Sequence, residues 1–497
     1  MTIQGNWDRT SLSRRRFLGW AGLGAGGLAF AASGLASGQA LAKPFFRDDP
    51  FSLGVASGVP LPDGVVLWTR LAPEPLAEGG SGGLPPEAYG VRYEVAEDEG
   101  FSRVVRRGAV EAMPELAHSV HVEVGGLRPG REYFYRFKAG PEISPVGRTK
   151  TAPAFGAAID QFTFAFASCQ GFAAHYSAYH NMAREDLELV VHLGDYIYEN
   201  TLGPNPRGLA IPEHVRTGPS TLEQYRLRYA LYKTDESLQA THAMFPWLVT
   251  WDDHEVKNNW YGQDARPDFV KRLVAASQAY YEHLPLRASA KPSGPNMQLY
   301  RRAKFGDLAE FEVLDTRQYR SDVARCGGDP TCPEARDPAR TMLGDEQERW
   351  LLDGLAASGA RWNVIANQVP LREQINKVGG DKWDGYLAQR ERLLSFLAER
   401  EPSNPVVVTG DAHYNEVADL LADFEDPASE IVGTEFIGTS ISTGGDGAPG
   451  KTYNVEGQPG PSSATAGRGA TSGSASRASS CRPITGLSRR YPSRSRP

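Results

Sequence analysis

Six short apolar runs in this 497-residue chain each end on residues that can hold a cation or a phosphate. The organising one lies within residues 187–200, Leu-Glu-Leu-Val-Val-His-Leu-Gly-Asp-Tyr-Ile-Tyr-Glu-Asn. Leu189, Val190, Val191 and Leu193 predict a buried strand that stops at Gly194 and delivers Asp195 at its tip. A carboxylate in that position faces a crevice from a rigid support, which suits cation binding. One Gly-Asp by itself is ordinary turn chemistry. The layout recurs, however. Residues 162–167 end at Ser168-Cys169-Gln170, and 247–251 run into Asp252-Asp253-His254-Glu255. Residues 308–314 end at Asp315-Thr316-Arg317, 362–366 at Asn367-Gln368, and 406–409 at Gly410-Asp411-Ala412-His413. Carboxylate, thiol, amide and imidazole are metal-donor types, and tips sharing one sheet edge meet in one crevice.

The elements that must position these tips alternate between strand and helix patterns. Ser220-Thr221-Leu222-Glu223 reads as a capping box, with Leu222, Tyr225, Tyr229 and Tyr232 on one helix face. A second helix is predicted over 345–357, and a last strand over 434–442. Interleaving of this kind is the α/β class. Residues 50–153 read differently, as all-β: 65–69 is an apolar run, while 91–95 and 120–124 alternate with period 2. Tyr133 follows Leu127-Arg128-Pro129-Gly130, as in the tyrosine corner of fibronectin-type sandwiches. Residues 149–160 form a linker of small residues. The β region is expected to act as scaffold or lid.

Charge and composition narrow the function classes. The net charge is −7, yet residues 461–497 carry seven arginines and no acid, so the preceding chain sums to −14. An acidic body argues against a nucleic-acid-binding domain and suits carboxylates gathered around cations. Residues 1–42 read as an address: Ser13-Arg14-Arg15-Arg16-Phe17-Leu18, a Gly- and Ala-rich stretch over 19–36, then Ala40-Leu41-Ala42. This resembles a twin-arginine signal, and so predicts passage through the twin-arginine translocase to the periplasm, the cell wall or the medium. Cys326 and Cys332 flank Gly-Gly-Asp-Pro-Thr and are expected to form a disulfide in an oxidising compartment. Residues 448–497 change character abruptly, to Ser, Ala, Gly and Arg. We read a break of the reading frame between Gly447 and Ser462, against the plainer alternative of a disordered tail.

The ordered set Cys169, Asp195, Asp253-His254, Asn367, Asp411-x-His413 resembles the strand-end layout of two-metal phosphoesterases. Ser-Cys-Gln stands where that superfamily has Asp-x-His, and Asp-Asp-His-Glu where it has Gly-Asn-His-Glu. These departures resemble the PhoD-type alkaline phosphatase family. The resemblance runs from about Phe51 to Gly447, through F-A-S-C-Q at 166–170, H-L-G-D-Y-I-Y-E at 192–199, W-D-D-H-E-V-K-N-N at 251–259, D-T-R-Q-Y-R at 315–320, N-Q at 367–368 and G-D-A-H at 410–413. It implies an αββα metallophosphoesterase sandwich over 160–447, preceded by a small all-β fibronectin- or immunoglobulin-like sandwich over 50–153. It also implies a centre of one ferric iron (Fe3+) and two calcium ions (Ca2+).

The residue types agree with that implied centre. Thiolate and phenolate suit a highly charged transition metal, so Cys169 and Tyr198, with Asp195 and His413, are the expected iron ligands. Asp253, Asn367 and Asp411 offer the hard oxygens calcium prefers, and Asp195 would bridge. His254 is expected to contact phosphate or protonate the leaving group, and Arg317 to clamp phosphate. The plain alternatives are a buried small hydrophobe for Cys169, a core aromatic for Tyr198, a strand-end hydrogen bond for His254, and an ion pair with Asp315 or another acid for Arg317. The activity expected is phosphate-ester hydrolysis by attack of a metal-bound oxygen. Substrates would be small phosphate esters or phospholipid headgroups, and the enzyme a monomer. A phospholipase D-like phosphodiesterase, a hydrolase using Cys169 as nucleophile, and a non-catalytic binding protein are the competing readings.

Overall fold

The structure is a computed structural model. It describes residues 46–443 except 204–205, 263, 328, 330 and 374–377, together with the backbone of two short paired strands, Thr452–Asn454 and Ser463–Thr465. The signal-like segment, and the frame break read between Gly447 and Ser462, lie outside the described residues apart from that strand pair.

The all-β region holds β1 (Val55–Leu61), β2 (Gly64–Arg70), β3 (Tyr89–Ala96), β4 (Val104–Ala112), β5 (Ser119–Val124), β6 (Glu132–Ala139), β7 (Glu142–Ile143) and β8 (Gly147–Lys150). Strands β3, β4, β6, β7 and β8 form a sheet of their own. Its corner is tied as expected: the Tyr133 hydroxyl accepts the Arg128 N–H at 2.9 Å. The other three strands go elsewhere. Residues of β2, Gly-Val-Val-Leu-Trp-Thr-Arg, are buried at every position, so this strand must be covered on both faces. It runs with β1 and β5 into the sheet that carries the site.

That first sheet has the order β5-β2-β1-β11-β10-β9, where β9 is Phe164–Ala167, β10 Leu189–His192 and β11 Pro246–Val249. Strands β9, β10 and β11 are parallel, with Val191 opposite Phe166 and Leu248, and β1 joins parallel to β11 through Gly58 and Trp247. The second sheet has the order β12-β13-β14-β15-β17-β16: Arg301–Phe305, Ala309–Val313, Trp362–Asn367, Pro405–Thr409, Ile431–Ile437 and Glu416–Leu421. Strands β13, β14, β15 and β17 are parallel.

The two sheets pack face to face, as alternation along each strand dictates. Leu189, Val191 and Leu248 point inward against Phe311, Val313, Val364, Ala366 and Val408. Val190 and Trp247 point outward, into a core shared with helices Leu222–Lys233, Glu236–Met244 and Pro267–His283. Helices Gly344–Ala357 and Leu387–Arg400 cover the second sheet's outer face through Leu351, Leu355, Leu393 and Leu397. The result is the αββα layering. No helix of the described residues is long and apolar enough to cross a membrane.

Two local readings shift. The capping box starts one residue later than expected, with Thr221 as cap and Gln224 returning the bond. Both Ser220 and Thr221 can cap, and Gln224 reaches where Glu223 points away. The strand expected over 434–442 is instead Ile431–Ile437. Beyond Gly438 the chain leaves its sheet and laces onto the β9 turn: Ile441 N–H donates to Ser168 O at 2.9 Å and Thr443 N–H to Cys169 O at 3.1 Å.

Candidate metal centre

Parallel strands put their C-terminal tips on one edge, so β9, β10 and β11 face β14 and β15 across a single crevice. The tips are sharp. Cys169, Asp195, Asp411 and His413 all adopt left-handed backbone, with φ of 59°, 55°, 59° and 57°. Non-glycine residues avoid that region, and such strain gathers where surrounding structure over-determines a functional turn. The restraints are visible. Cys169 N–H donates to Gly194 O at 3.1 Å, and Gln170 N–H to Asp195 O at 2.8 Å. Two glycines let the turns close up. A Cβ on Gly194 would lie 2.4 Å from Asp252, and one on Gly410 would lie 2.6 Å from the Ser168 side chain.

The side chains converge in two groups that share one carboxylate. Donor atoms of Cys169, Asp195 and His413 lie within 4.8 Å of one another, and so do those of Asp195, Asp253 and His254. Tyr198 joins the first group: its hydroxyl is 2.9 Å from Asp195 Oδ2 and 3.2 Å from His413 Nε2. The structure therefore brings the four expected iron ligands together, and Asp195 belongs to both donor groups. Asp253 is held by the Asn259 N–H, which donates to its Oδ2 at 2.6 Å. Asn367 is buried, its Nδ2 donating to Val369 O at 2.5 Å and its Oδ1 accepting Trp383 Nε1 at 3.3 Å. Asp411 pairs with Lys382 at 3.0 Å.

These carboxylates repel one another. Burial, and then the fields of Asp253, Asp252, Glu255 and Asp411, push the Asp195 carboxyl well above the usual range. Burial lifts Asp411 too, against the pull of Lys382, with Asp381 and Asp253 adding to the rise. Burial and the Asp195 field drive the Cys169 thiol up. A multivalent cation reverses all of these terms at once, since it favours every ionised donor around it. A thiol, a phenol, an imidazole and a shared carboxylate on one side, with carboxylate and amide oxygens on the other, fit a transition-metal ion beside an oxygen-preferring cation such as calcium.

His254 sits at the edge of the second group. Its Nδ1 is 2.6 Å from Glu199 Oε2, and its ring packs 4.3 Å from that of Tyr198. Burial alone would lower its pKa; the Glu199 hydrogen bond and the fields of Asp253, Glu199 and Asp252 outweigh that and raise it to about 9. Arg317 is not on the cluster. It is fully buried, with Nε 2.5 Å from Asp252 Oδ1 and Nη2 3.3 Å from Asp381 Oδ2. The structure engages the Arg317 guanidinium in ion pairs with two acids, Asp252 and Asp381, and leaves its buried Nη1 without a hydrogen-bond partner among the described residues. Asp315, the acid named for that pair, instead accepts the Arg317 backbone N–H at 3.0 Å.

Several residues that shape the site went unread in the sequence. Glu199 and Glu255 lie inside the motif strings, and their spacing from Asp195 and Asp253 was the available signal. Gln368 stitches the sheets together: its Oε1 accepts the Thr316 N–H at 3.0 Å while its Nε2 donates to Leu314 O at 2.9 Å and reaches Thr250 Oγ1 at 3.4 Å. Asp381, Lys382 and Trp383 belong to a loop with no periodic pattern and gave no signal. The predicted Cys326–Cys332 disulfide is formed.

Residues 164–469 match the family model described as PhoD-like phosphatase, and residues 36–153 the one described as PhoD-like phosphatase, N-terminal domain. The chain is 51% identical over 464 residues to a Bacillus subtilis (strain 168) protein named alkaline phosphatase D, covering 89% of this chain and 78% of that one. It is also similar to a solved structure described as "Structure of PhoD", with a TM-score of 0.76 at 51% identity, over 82% of this chain and 80% of that one.

Proposed function

The chain belongs to the PhoD-like phosphatase family and is a phosphoric ester hydrolase, and from that premise we propose that it cleaves phosphate mono- and diesters at alkaline pH in a metal-dependent reaction centred on Asp195. The observation that carries this reading is the membership of Asp195 in two donor groups of different chemistry. Cys169, Asp195, Tyr198 and His413 would hold ferric iron. Asp253, Asn367 and Asp411, with Asp195 shared, would hold two calcium ions. When bound, these ions supply Lewis-acid charge that draws in phosphoryl oxygens and makes water a nucleophile.

The chain's own groups do the rest. Glu199 fixes the His254 ring through Nδ1 and leaves Nε2 as the atom that carries a proton toward the ester. Arg317 acts through Asp252, holding the second turn in place rather than touching substrate. Glu255 holds three backbone N–H groups of the turns that bear Asp195 and Asp252. We extend the proposal to export by the twin-arginine route, to action as a monomer, and to small phosphate esters or phospholipid headgroups as substrates.

The cysteine-nucleophile alternative is disfavoured by a specific feature. Cys169 is 1% exposed and its donor atom lies among those of Asp195 and His413, the place of a ligand rather than of an accessible nucleophile. The deciding experiment is hydrolysis of p-nitrophenyl phosphate and of its bis-ester with and without chelator, beside metal analysis of natively exported protein. Loss of both activities on exhaustive removal of iron and calcium is expected. Full turnover without either metal overturns the reading, and no turnover of any ester favours a binding protein.

A further inference from the structure

We propose that Lys382 is a substrate-binding residue of this site, its ammonium contacting the non-bridging oxygens of the phosphoryl group; the inference rests on the phosphoester reading above. Lys382 lies in the loop 379–385, whose other members are tied down. Asp381 O accepts Arg320 Nη1 at 3.0 Å, and Asp381 Oδ2 faces Arg317 Nη2 at 3.3 Å. Trp383 is buried and donates to Asn367 Oδ1 at 3.3 Å. Asp384 pairs with the buried Arg390 at 2.7 Å. Gly385 N–H donates to Lys382 O at 2.9 Å. Lys382 is thus a flexible side chain on a fixed backbone, which reduces the entropy lost when its head is immobilised.

Its head is placed for an anion. Nζ lies 3.0 Å from Asp411 Oδ2, and the side chain is 25% exposed. Among the described residues it is the one Lys or Arg whose cationic head lies within ion-pair distance of a candidate ligand side chain. Arg317 pairs with Asp252 and Asp381 through Nε and Nη2 and is fully buried, and His254 is engaged by Glu199. Beside the ligand set, Glu199 and Asp381 carry the ester's own charge. An ammonium has three donors in rotatable geometry, and the 3.0 Å ion pair with Asp411 leaves at least two of them for a phosphoryl oxygen. The same contact serves Asp411, so Lys382 would bring an incoming anion to the ligand that closes the Asn367–Asp411 side.

The test compares Lys382→Met with Lys382→Arg in the metal-loaded protein. It reads equilibrium binding of radiolabelled inorganic phosphate, KM and kcat for p-nitrophenyl phosphate, and bound iron and calcium. Removing a charge-assisted hydrogen bond should weaken phosphate binding and raise KM by roughly 10- to 100-fold. Metal content should be unchanged, and Lys382→Arg should recover most of the binding. Wild-type phosphate affinity in Lys382→Met overturns the proposal. So does loss of calcium in that variant, since Lys382 would then act only through Asp411. Lys382→Gln replaces the Met variant if the latter does not fold. Wild-type protein that binds phosphate but turns over no ester defeats the phosphoester reading alone, and the phosphate-binding comparison still decides the role of Lys382.

Discussion

The Glu255 carboxylate accepts the backbone N–H of Asp195 at 3.1 Å, and with it those of Tyr196 at 2.6 Å and Asp252 at 2.9 Å. One fully buried side chain therefore holds two of the turns that meet at the centre, one after β10 and one after β11. This is what keeps Asp195 in its left-handed conformation with its carboxylate aimed at both donor groups.

Glu255→Gln keeps the shape but turns an amide NH2 toward backbone donors. The loss of an accepted bond in a buried site should cost about 1–3 kcal/mol. Thermal unfolding should fall accordingly, and bound metal should drop with it. A variant with wild-type Tm and full metal content would show that Asp195 is held by other means.

Tyr198→Phe removes the hydroxyl that lies between Asp195 Oδ2 and His413 Nε2. If that oxygen binds ferric iron as phenolate, the pure enzyme is coloured and the variant's visible charge-transfer band weakens or shifts. An unchanged spectrum in an iron-loaded variant removes Tyr198 from the ligand set.

Gly194→Ala meets two obstacles, a φ of 110° and an Asp252 backbone 2.4 Å from the new Cβ. Strain and overpacking together should cost roughly 2–5 kcal/mol. The expected readout is a lower denaturant midpoint and less bound metal. A neutral effect would mean that the β10 and β11 turns have more room than their spacing implies.

Lys233 carries a pH-dependent stability term. It is buried in helix Leu222–Lys233 with its ammonium 4.1 Å from the Trp68 ring, and burial lowers its pKa from 10.5 to about 7. Between those values the unfolded chain binds the extra proton, so stability rises with pH from 7 to 10.5 and the penalty is fully present below 7. Its size is on the order of 5 kcal/mol. Lys233→Met should therefore raise Tm at pH 6.5 more than at pH 10.5. Equal shifts at both pH values would count against a buried, destabilised ammonium here.

The chemistry of the site was legible early because it is written locally. Apolar runs such as Leu189–His192 name central strands, and the residue after each run names the tip. Interleaved helix patterns make parallel strands, and parallel strands put their tips on one edge. The donor types at Cys169, Asp195, Asp253, Asn367, Asp411 and His413 then state a metal site without any coordinates. Tyr133 and the Cys326–Cys332 pair were legible for the same reason, since each acts within a few residues of itself.

What the tertiary structure alone decided is which distant groups meet. Nothing in β1, β2 or β5 says that they join the sheet of β11 rather than that of β3 and β6, because neither a buried run nor a period-2 pattern names the sheet a strand enters. Arg317 follows a strand tip like the ligands do, yet its direction depends on Asp252 and Asp381, residues 65 and 64 positions away. Residues 438–443 continue the β17 segment in sequence, but the β9 turn takes their backbone N–H groups at Ile441 and Thr443. Lys382 reaches Asp411 from a loop with no period at all. Periodicity and donor type are properties of a few consecutive residues, and a sequence displays them. Sheet order and ion-pair choice are free-energy differences between long-range alternatives, and only the folded chain expresses them.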